Sequence, residues 1–184
     1  MGVETRVRLF FALWPDSQVR ATIAHAAAAL PADLSGRRVP PQNYHLTMAF
    51  VGEVAATQLA VLQQIGRSQR FSGCTLRFDA LEYWRTPKVV VATARQIPPE
   101  LLELWTQLCR ALAQNQSLRL EPAPPRRAHV TLARKVAQAP VLQAMSPFEW
   151  TSQNFSLVRS DTGGAHSVYT VVDTWPLLDE TPAR

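Results

Sequence analysis

Two short segments of this chain carry residues that could transfer protons. Residues 45–48 read HLTM and residues 129–132 read HVTL, so a His-apolar-Thr-apolar pattern occurs twice. Both segments favour β structure, and in a strand every second side chain points to the same face. Each histidine therefore shares a face with a threonine, while the apolar residues face a core. One such triplet means little in a chain with four histidines, but two in equivalent contexts indicate a functional pair.

Two imidazoles that face one cleft could work as an acid–base pair. Because the pKa of histidine lies near neutrality, a neutral ring can take a proton from water while a protonated ring gives one to a leaving oxygen. The hydroxyls of Thr47 and Thr131 could hold the non-bridging oxygens of a phosphoryl group between His45 and His129. A strained 2′,3′-cyclic phosphate suits such a site, since ring strain lowers the barrier. The spacing does not say which histidine is the acid.

Other kinds of catalytic site find no support in the sequence. It contains no HExxH motif, no carboxylate cluster and no Cys/His spacing typical of a metal site. A P-loop for ATP and a Gly-x-Ser-x-Gly motif for acyl transfer are also missing. We therefore expect no metal, no cofactor and no use of ATP. Cys74 and Cys109 are predicted to be reduced thiols, as in a cytoplasmic protein. With no apolar signal region and no apolar run that could span a bilayer, we expect no membrane association.

The chain is basic, with 19 Lys and Arg against 14 Asp and Glu and a net charge of +5. This charge suits an anionic partner such as RNA, although a solvated basic surface would have the same composition. Two arginine pairs precede the two histidine segments and could bind RNA phosphates at the mouth of a cleft. These candidates are Arg37, Arg38, Arg126 and Arg127. Aromatic residues that could stack a base are better explained as buried core residues. They are Tyr83, Trp84, Phe148 and Trp150.

Hydrophobic periodicity and turn signals predict the elements that must position the histidines. Strands are predicted at 8–13, 44–51, 74–83, 88–95, 128–134, 150–159 and 167–172, with a short one near 118–120. Helices are predicted at 17–30, 58–68, 98–115 and, briefly, 141–145. The length of 184 residues suits one domain, residues 1–184. One histidine strand falls in each half. The order therefore predicts an α+β domain of two pseudo-symmetric lobes, with mostly antiparallel sheets flanking a central cleft and helices on the outside.

The two motifs resemble those of a known superfamily. Residues 43–54, which read NYHLTMAFVGEV, and residues 129–134, which read HVTLAR, are similar to the motifs of the two-histidine (2H) phosphoesterases. Within that superfamily they most resemble the bacterial and archaeal RNA 2′,3′-cyclic phosphodiesterases, once called 2′-5′ RNA ligases. Residues 8–13 resemble the opening strand of the same family, and residues 157–169 and 175–177 resemble its C-terminal strands. One departure is Ala128, where the family usually has proline, and it affects how the chain enters the strand more than the chemistry.

The resemblance implies an activity and a role for each histidine. His45 would be the proton donor to the leaving O3′, His129 would be the base that activates water, and the product would be an RNA with a 2′-phosphate. The reverse reaction, with an RNA 5′-hydroxyl, would form a 2′-5′ linkage without ATP. The family motif also places Arg134 near the phosphate. Strand alternation puts Arg134 on the face opposite His129 and Thr131, so phosphate binding would need a bulge or the end of the strand.

Other functions are compatible with the same motifs. A different phosphodiesterase of the superfamily would act on 2′-5′ oligoadenylate or on a cyclic phosphate of ADP-ribose. A non-catalytic protein would bind RNA on the same scaffold. The intact motifs favour the enzyme, for which we expect a cytoplasmic monomer that acts on RNA with 2′,3′-cyclic phosphate ends.

Overall fold

The computed structural model describes residues 5–116, 118, 127–161 and 167–176. These residues form three α-helices, which are α1 (Ser17–Ala28), α2 (Leu59–Ser68) and α3 (Pro99–Gln114). They also form ten strands, which are β1 (Arg6–Leu13), β2 (Arg37–Arg38), β3 (Leu46–Ala55), β4 (Cys74–Phe78), β5 (Ala80–Trp84), β6 (Val89–Ala94), β7 (Ala128–Arg134), β8 (Phe148–Ser152), β9 (Asn154–Asp161) and β10 (Val168–Pro176). Short 3-10 turns lie at Pro41–Asn43 and Ala56–Gln58.

The described strands make two four-stranded sheets and one two-stranded ribbon. The first sheet has the order β10-β9-β1-β3, the second has the order β2-β7-β6-β5, and the ribbon joins β4 to β8. Every described pair is antiparallel. Each sheet contains a strand–helix–strand unit whose two strands pair directly, β1-α1-β3 in the first and β6-α3-β7 in the second. This repeat confirms the predicted α+β fold with two pseudo-symmetric lobes.

The helices cover the sheets with one apolar face each. Asp16 begins α1 by accepting a hydrogen bond from the backbone N–H of Val19 at 2.8 Å. Helix α3 buries five residues at helical spacing, which are Leu101, Leu104, Trp105, Leu108 and Leu112. Trp105 Nε1 donates to the sulfur of Met48 at 2.9 Å, so α3 contacts the first histidine strand inside a core that both lobes share. None of the described helices is long and apolar enough to cross a bilayer.

Two long predicted strands are each divided between two sheets. The strand predicted at 74–83 breaks at Asp79, so that β4 pairs with β8 while β5 pairs with β6. The strand predicted at 150–159 breaks at Gln153 in the same way, into β8 and β9. Burial alternates strictly in β4 and β8, but β5 is half-buried throughout and β9 buries four consecutive residues. Each break is set by pairing with strands that are distant in the sequence. The sequence pattern therefore could not locate these breaks.

Other predicted elements differ from the structure, and one lies largely outside the described residues. Residues 141–145 have no regular structure. Val141 is 87% exposed, and a helix of five residues is too short to be stable on its own. The first histidine strand runs on to Ala55, past Gly52, whose φ of 83° suits glycine. The short strand predicted near 118–120 falls largely outside the described residues.

Candidate active site

His45 directly precedes β3 and His129 is the second residue of β7, and each lies two residues before the threonine of its motif. The Nδ1 atom of His45 lies 2.7 Å from the carbonyl oxygen of Asn43, and that of His129 lies 3.0 Å from the carbonyl oxygen of Arg127. A carbonyl oxygen only accepts, so Nδ1 carries the proton in each neutral ring. This leaves Nε2 of both rings to accept or donate a proton. The two halves of the molecule thus orient their histidines by the same backbone contact.

Both His-x-Thr pairs line one open cleft of about 340 Å³ between the two four-stranded sheets. This volume lies within the range of small-molecule sites. The first sheet and its adjoining loops contribute Arg8, Phe10, His45, Thr47, Phe50, Ser160, Ser167 and Tyr169. The second sheet and its adjoining turn contribute Trp84, Pro87, Val89, His129, Thr131 and Arg134. The structure therefore brings two imidazoles, two threonine hydroxyls and a guanidinium into one space.

Arg134 reaches this cleft because of a β-bulge. Leu132 is an extra residue in β7 between two register pairs of β6 and β7. Such a residue shifts the alternation of the strand by one, which places Arg134 on the same face as His129 and Thr131. The bulge that phosphate binding by Arg134 would require is therefore present. Its charge also lowers the pKa of both His45 and His129, so the guanidinium lies near both rings.

Strand β3 has the same irregularity at the equivalent place. Met48, directly after Thr47, is an extra residue in the β1–β3 register, and Val51 is a second one. Phe50 consequently turns toward the cleft with 51% of its surface exposed, while Ala49 is buried. Uninterrupted alternation would have placed Ala49 in the cleft and Phe50 in the core. For this reason sequence reasoning missed Phe50.

His45 lies in an aromatic cage. The Trp14 ring is stacked on it, with centroids 5.7 Å apart and an interplanar angle of 12°. Phe10 contacts it at 4.9 Å, and Tyr169 approaches edge-on at 5.2 Å. Only 9% of His45 is exposed. The cage fixes the plane of the ring and shields it from bulk water.

Burial makes both histidines harder to protonate in the free protein. It lowers the pKa of His45 to about 4, opposed by the hydrogen bond to Asn43 and assisted by the charges of Arg134 and His129. Burial also lowers the pKa of His129, opposed by the hydrogen bond to Arg127 and assisted by the charges of Arg134 and Arg127. At neutral pH His45 of the free protein is therefore almost entirely neutral.

A hydrogen-bonded group around Glu82 supports His129. The Trp84 ring lies 4.5 Å from the His129 ring, and the Arg127 guanidinium lies 5.6 Å from the Trp84 ring. The Glu82 carboxylate accepts from Trp84 Nε1 at 3.0 Å, from Thr93 Oγ1 at 3.0 Å, and from Arg127. Burial raises the pKa of Glu82, but these hydrogen bonds outweigh it and the pKa is lowered. Glu82 thus links Trp84, whose ring lies beside His129, to Arg127, whose carbonyl oxygen contacts His129 Nδ1.

The candidate RNA-binding arginines lie in different environments. Arg38 donates to three carbonyl oxygens at and beyond the end of α1, at 2.7, 2.8 and 3.1 Å, and so caps that helix. Arg37 is exposed on β2 and pairs in register with Arg134 on β7. Arg127 binds Glu82 and lies over an aromatic ring, as described above. Arg126 falls outside the described residues.

Three of the four candidate stacking aromatics are structural, as expected. Phe148 and Trp150 are buried in the core, and the Tyr83 hydroxyl donates to the carbonyl of Val136 at 2.9 Å. Trp84 differs, because it lines the cleft beside His129. Its place on β5 depends on the division of the strand predicted at 74–83, which the sequence did not reveal.

Within the described residues, no group of three or more His, Cys, Asp or Glu side chains is arranged to hold a metal ion. The donors that line the cleft are instead imidazoles, hydroxyls and guanidinium groups. Such a set matches the charge and the oxygens of a phosphoryl group.

The chain is similar to known phosphoesterases over almost its whole length. The family model described as LigT like Phosphoesterase matches residues 13–91. The RNA 2′,3′-cyclic phosphodiesterase of Escherichia coli (strain K12) is 31% identical over 172 residues, which cover 92% of this chain and 96% of the relative. A protein of the same name from Thermus thermophilus is 31% identical over 188 residues, covering 95% of this chain and 92% of the relative.

Solved structures show the same likeness in three dimensions. A crystal structure described as a phosphoesterase superposes with a TM-score of 0.82 at 31% identity, covering 93% of this chain and 98% of its own. The structure of E. coli LigT complexed with 3′-AMP superposes with a TM-score of 0.80 at 31% identity, covering 94% and 99%. With the shared sequence, fold and paired histidine motifs, this chain belongs to the LigT-like phosphoesterase family of the two-histidine superfamily.

Proposed function

We propose that this protein hydrolyses the 2′,3′-cyclic phosphate ends of RNA to 2′-phosphate ends. The observation that carries the proposal is the pair of histidines in one cleft, each with its Nδ1 atom held by a backbone carbonyl. Two relatives named RNA 2′,3′-cyclic phosphodiesterase support the substrate class. We assign His45 as the proton donor and His129 as the proton acceptor, with Thr47, Thr131 and Arg134 as phosphate ligands.

The reaction begins with the cyclic phosphate held between the two rings. Thr47 and Thr131 donate hydrogen bonds to its non-bridging oxygens, and Arg134 stabilises the negative charge that grows in the transition state. His129 Nε2 takes a proton from water, and the water oxygen attacks phosphorus. As the bond from phosphorus to O3′ breaks, His45 Nε2–H gives its proton to O3′. The product is a 2′-phosphomonoester with a free 3′-hydroxyl, and both histidines then exchange protons with solvent.

The proton on His45 requires the substrate. With a pKa of about 4, this ring is protonated in roughly one molecule in a thousand at pH 7. That value alone would make His45 a better base than acid. A bound phosphodiester anion beside the ring favours the imidazolium and raises its pKa. The assignment therefore rests on the family resemblance together with this effect of the substrate.

The same groups could run the reaction in the direction of ligation. An RNA 5′-hydroxyl in the place of water would lose its proton to His129 and attack phosphorus, giving a 2′-5′ phosphodiester. Ring strain in the cyclic phosphate supplies the driving force, so no ATP is needed. We also propose that catalysis is independent of metal ions, because the two imidazoles and Arg134 supply the proton transfers and the charge.

We further propose that residues 1–184 act as a single cytoplasmic, monomeric domain. Cys74 and Cys109 are unpaired thiols, which suits a reducing compartment. RNA-binding roles for Arg37, Arg126 and Arg127 remain part of the proposal, while the carbonyl contacts of Arg38 favour a structural role.

The test is incubation with an RNA that ends in a 2′,3′-cyclic phosphate, in the presence of EDTA. We expect complete conversion to a 2′-phosphate, identified by ³¹P–¹H NMR correlation of the product. A 3′-phosphate, or turnover only after a metal ion is added, would contradict the proposal. Parallel reactions with 2′-5′ oligoadenylate and a cyclic phosphate of ADP-ribose test the other activities of the superfamily. Salt-sensitive RNA binding without hydrolysis of any substrate would identify a non-catalytic protein.

A further inference from the structure

Glu82 places a carboxylate beside a cleft whose polar groups suit an anion. Among the described residues that line the cleft, none is acidic. Glu82 lies on the cleft face of the second sheet, because it is opposite Val91 on β6, and Val91 is opposite Thr131 on β7. Two strands separate the carboxylate from this threonine, a distance of about 10 Å. An unpaired carboxylate there would repel an anionic substrate, so its position needs another reason.

The Glu82 carboxylate holds the segment that enters β7. Arg127 directly precedes β7, and its guanidinium binds Glu82. The backbone carbonyl of the same arginine lies 3.0 Å from Nδ1 of His129. One end of Arg127 is thus fixed by the carboxylate, and the other end orients the imidazole. Movement of Arg127 would therefore displace the hydrogen bond that sets the tautomer of His129.

Two further contacts fix the carboxylate and the face of the imidazole. Thr93, fully buried on β6, lies opposite His129 in the register. Its Oγ1 donates to Glu82 at 3.0 Å, to the same carboxylate oxygen that binds Arg127. The other oxygen accepts from Trp84 Nε1 at 3.0 Å, and the Trp84 ring lies 4.5 Å from the His129 ring. Glu82 therefore controls both the hydrogen bond to this histidine and the ring packed against it.

The internal repeat gives an independent reason. In the first lobe, Asn43 contacts the histidine Nδ1 through its carbonyl oxygen, and its side chain is also anchored, by donating to the carbonyl of Ser167 at 2.8 Å. Each lobe thus ties down the residue two positions before its histidine. Three aromatic rings also enclose His45. Among the described residues, Trp84 is the one ring in contact with His129, which therefore depends more on polar support.

We propose that Glu82 is a positioning residue for His129 and acts on it through Arg127 and Trp84. This inference rests on the proposed function, in which His129 is the base that activates water. The base must hold Nε2 toward the water while Nδ1 keeps its proton. A misplacement of about 1 Å can lower the rate by about 10²-fold. Glu82 is therefore expected to affect the chemical step and not the binding of substrate.

Steady-state kinetics on a nucleoside 2′,3′-cyclic monophosphate tests this role. The substrate has no upstream phosphate, so a contact of Arg127 with an RNA backbone does not affect the result. Glu82→Ala should lower kcat by about tenfold while KM changes by less than about twofold. Glu82→Gln, which keeps the length and one acceptor oxygen, should recover part of this loss. Arg127→Met should also lower kcat, and the double variant with Glu82→Ala should be no slower than the slower single variant, because both break one contact.

A second measurement does not depend on turnover. Two-bond ¹H–¹⁵N correlation NMR identifies the tautomer of each imidazole at a pH where both rings are neutral. His129 of the wild type should carry its proton on Nδ1, and Glu82→Ala should give a mixture of the two tautomers while His45 is unchanged. Glu103→Ala is the matched control, since Glu103 also accepts a side-chain hydrogen bond, from Gln107 on the exposed side of α3. It should leave kcat and both tautomers unchanged.

Three results would overturn the positioning role. They are an unchanged kcat in Glu82→Ala, a tautomer change that His45 shares equally, and fully additive losses in the double variant. Hydrolysis by the wild type with neither measurement altered in Glu82→Ala rejects the positioning role alone. A changed His129 tautomer in a protein that hydrolyses no cyclic phosphate rejects the proposed function alone.

Discussion

The backbone of Arg134 lies opposite Val89 in the β6–β7 register. This pairing is shifted by one residue from the pairing at the other end of β7, where His129 lies opposite Thr93. The shift is the bulge at Leu132. It carries the guanidinium from the outer face of the sheet to the face of His129, where its charge lowers the pKa of both cleft histidines. A local irregularity of the backbone thus decides whether this arginine is part of the site.

Replacement of Arg134 by methionine should lower kcat/KM for a 2′,3′-cyclic phosphate by about 10²- to 10³-fold, the usual loss when one donor to a developing anionic charge is removed. Methionine is similar in length to arginine but is uncharged, so the transition state loses the positive charge of the guanidinium. Steady-state kinetics measures the effect. Arg77→Met, on the exposed side of β4, is the matched control. A decrease of less than about threefold in Arg134→Met would exclude the arginine from transition-state stabilisation.

Arg38→Met should affect stability and not catalysis. The guanidinium binds three carbonyl oxygens at the end of α1, and its loss leaves these acceptors without their charged donor. We expect the free energy of unfolding to fall by about 1–3 kcal/mol, measured by urea denaturation. The value of kcat/KM on a long RNA should stay near that of the wild type. A large rise in KM with unchanged stability would instead support the RNA-binding role predicted from the sequence.

The sequence was sufficient to predict a helix or strand wherever a hydrophobic pattern repeats over several residues. Hydrophobic periodicity located α1 and α3, and the strand that carries His129 was predicted with its observed bounds, Ala128–Arg134. Alternation also placed each histidine beside its threonine on one face. These features depend on contacts between near neighbours in the chain, which the sequence contains directly.

The residues that sequence reasoning missed depend on contacts between distant segments. Phe50 turns outward only because β3 is bulged where it pairs with β1. Trp84 reaches His129 only because the chain leaves the β4–β8 ribbon at Asp79 and pairs with β6 as β5. Glu82 lies on the same strand and is brought near His129 in the same way. Bulges and changes of sheet are set by the strands with which a segment pairs, and those strands are distant in the sequence. Only the three-dimensional pairing reveals where they fall.

The burial of His45 should make stability depend on pH. Below pH 6.5 the unfolded chain takes up a proton at this histidine, and the folded chain does so only near pH 4. Stability is therefore full above pH 6.5 and decreases as the pH falls toward 4, by up to about 3 kcal/mol from this residue. Urea denaturation at several pH values should show a smaller decrease for His45→Asn, with His25→Asn on the exposed face of α1 as control. An unchanged pH dependence in His45→Asn would contradict the burial of a neutral ring.

The two proton-transfer roles can be separated by the leaving group. A 3′-deoxynucleoside 2′-(4-nitrophenyl phosphate) releases nitrophenolate, which needs no proton from the enzyme. If His45 is the acid, His45→Ala should lose little activity on this ester. Its rate relative to the wild type should be about 10²-fold higher on the ester than on the cyclic phosphate. His129→Ala should stay slow on both substrates, because water still needs a base. Recovery by His129→Ala instead would reverse the two roles.

The account depends most on the claim that both histidines take part in the chemical step. Single-turnover hydrolysis of a 2′,3′-cyclic phosphate RNA in EDTA tests it with His45→Ala, His129→Ala and, as control, His25→Ala. We predict that each cleft variant is slower than the wild type by at least about 100-fold and that the control keeps the wild-type rate. A rate above about one tenth of the wild-type value in either cleft variant would contradict the two-histidine mechanism.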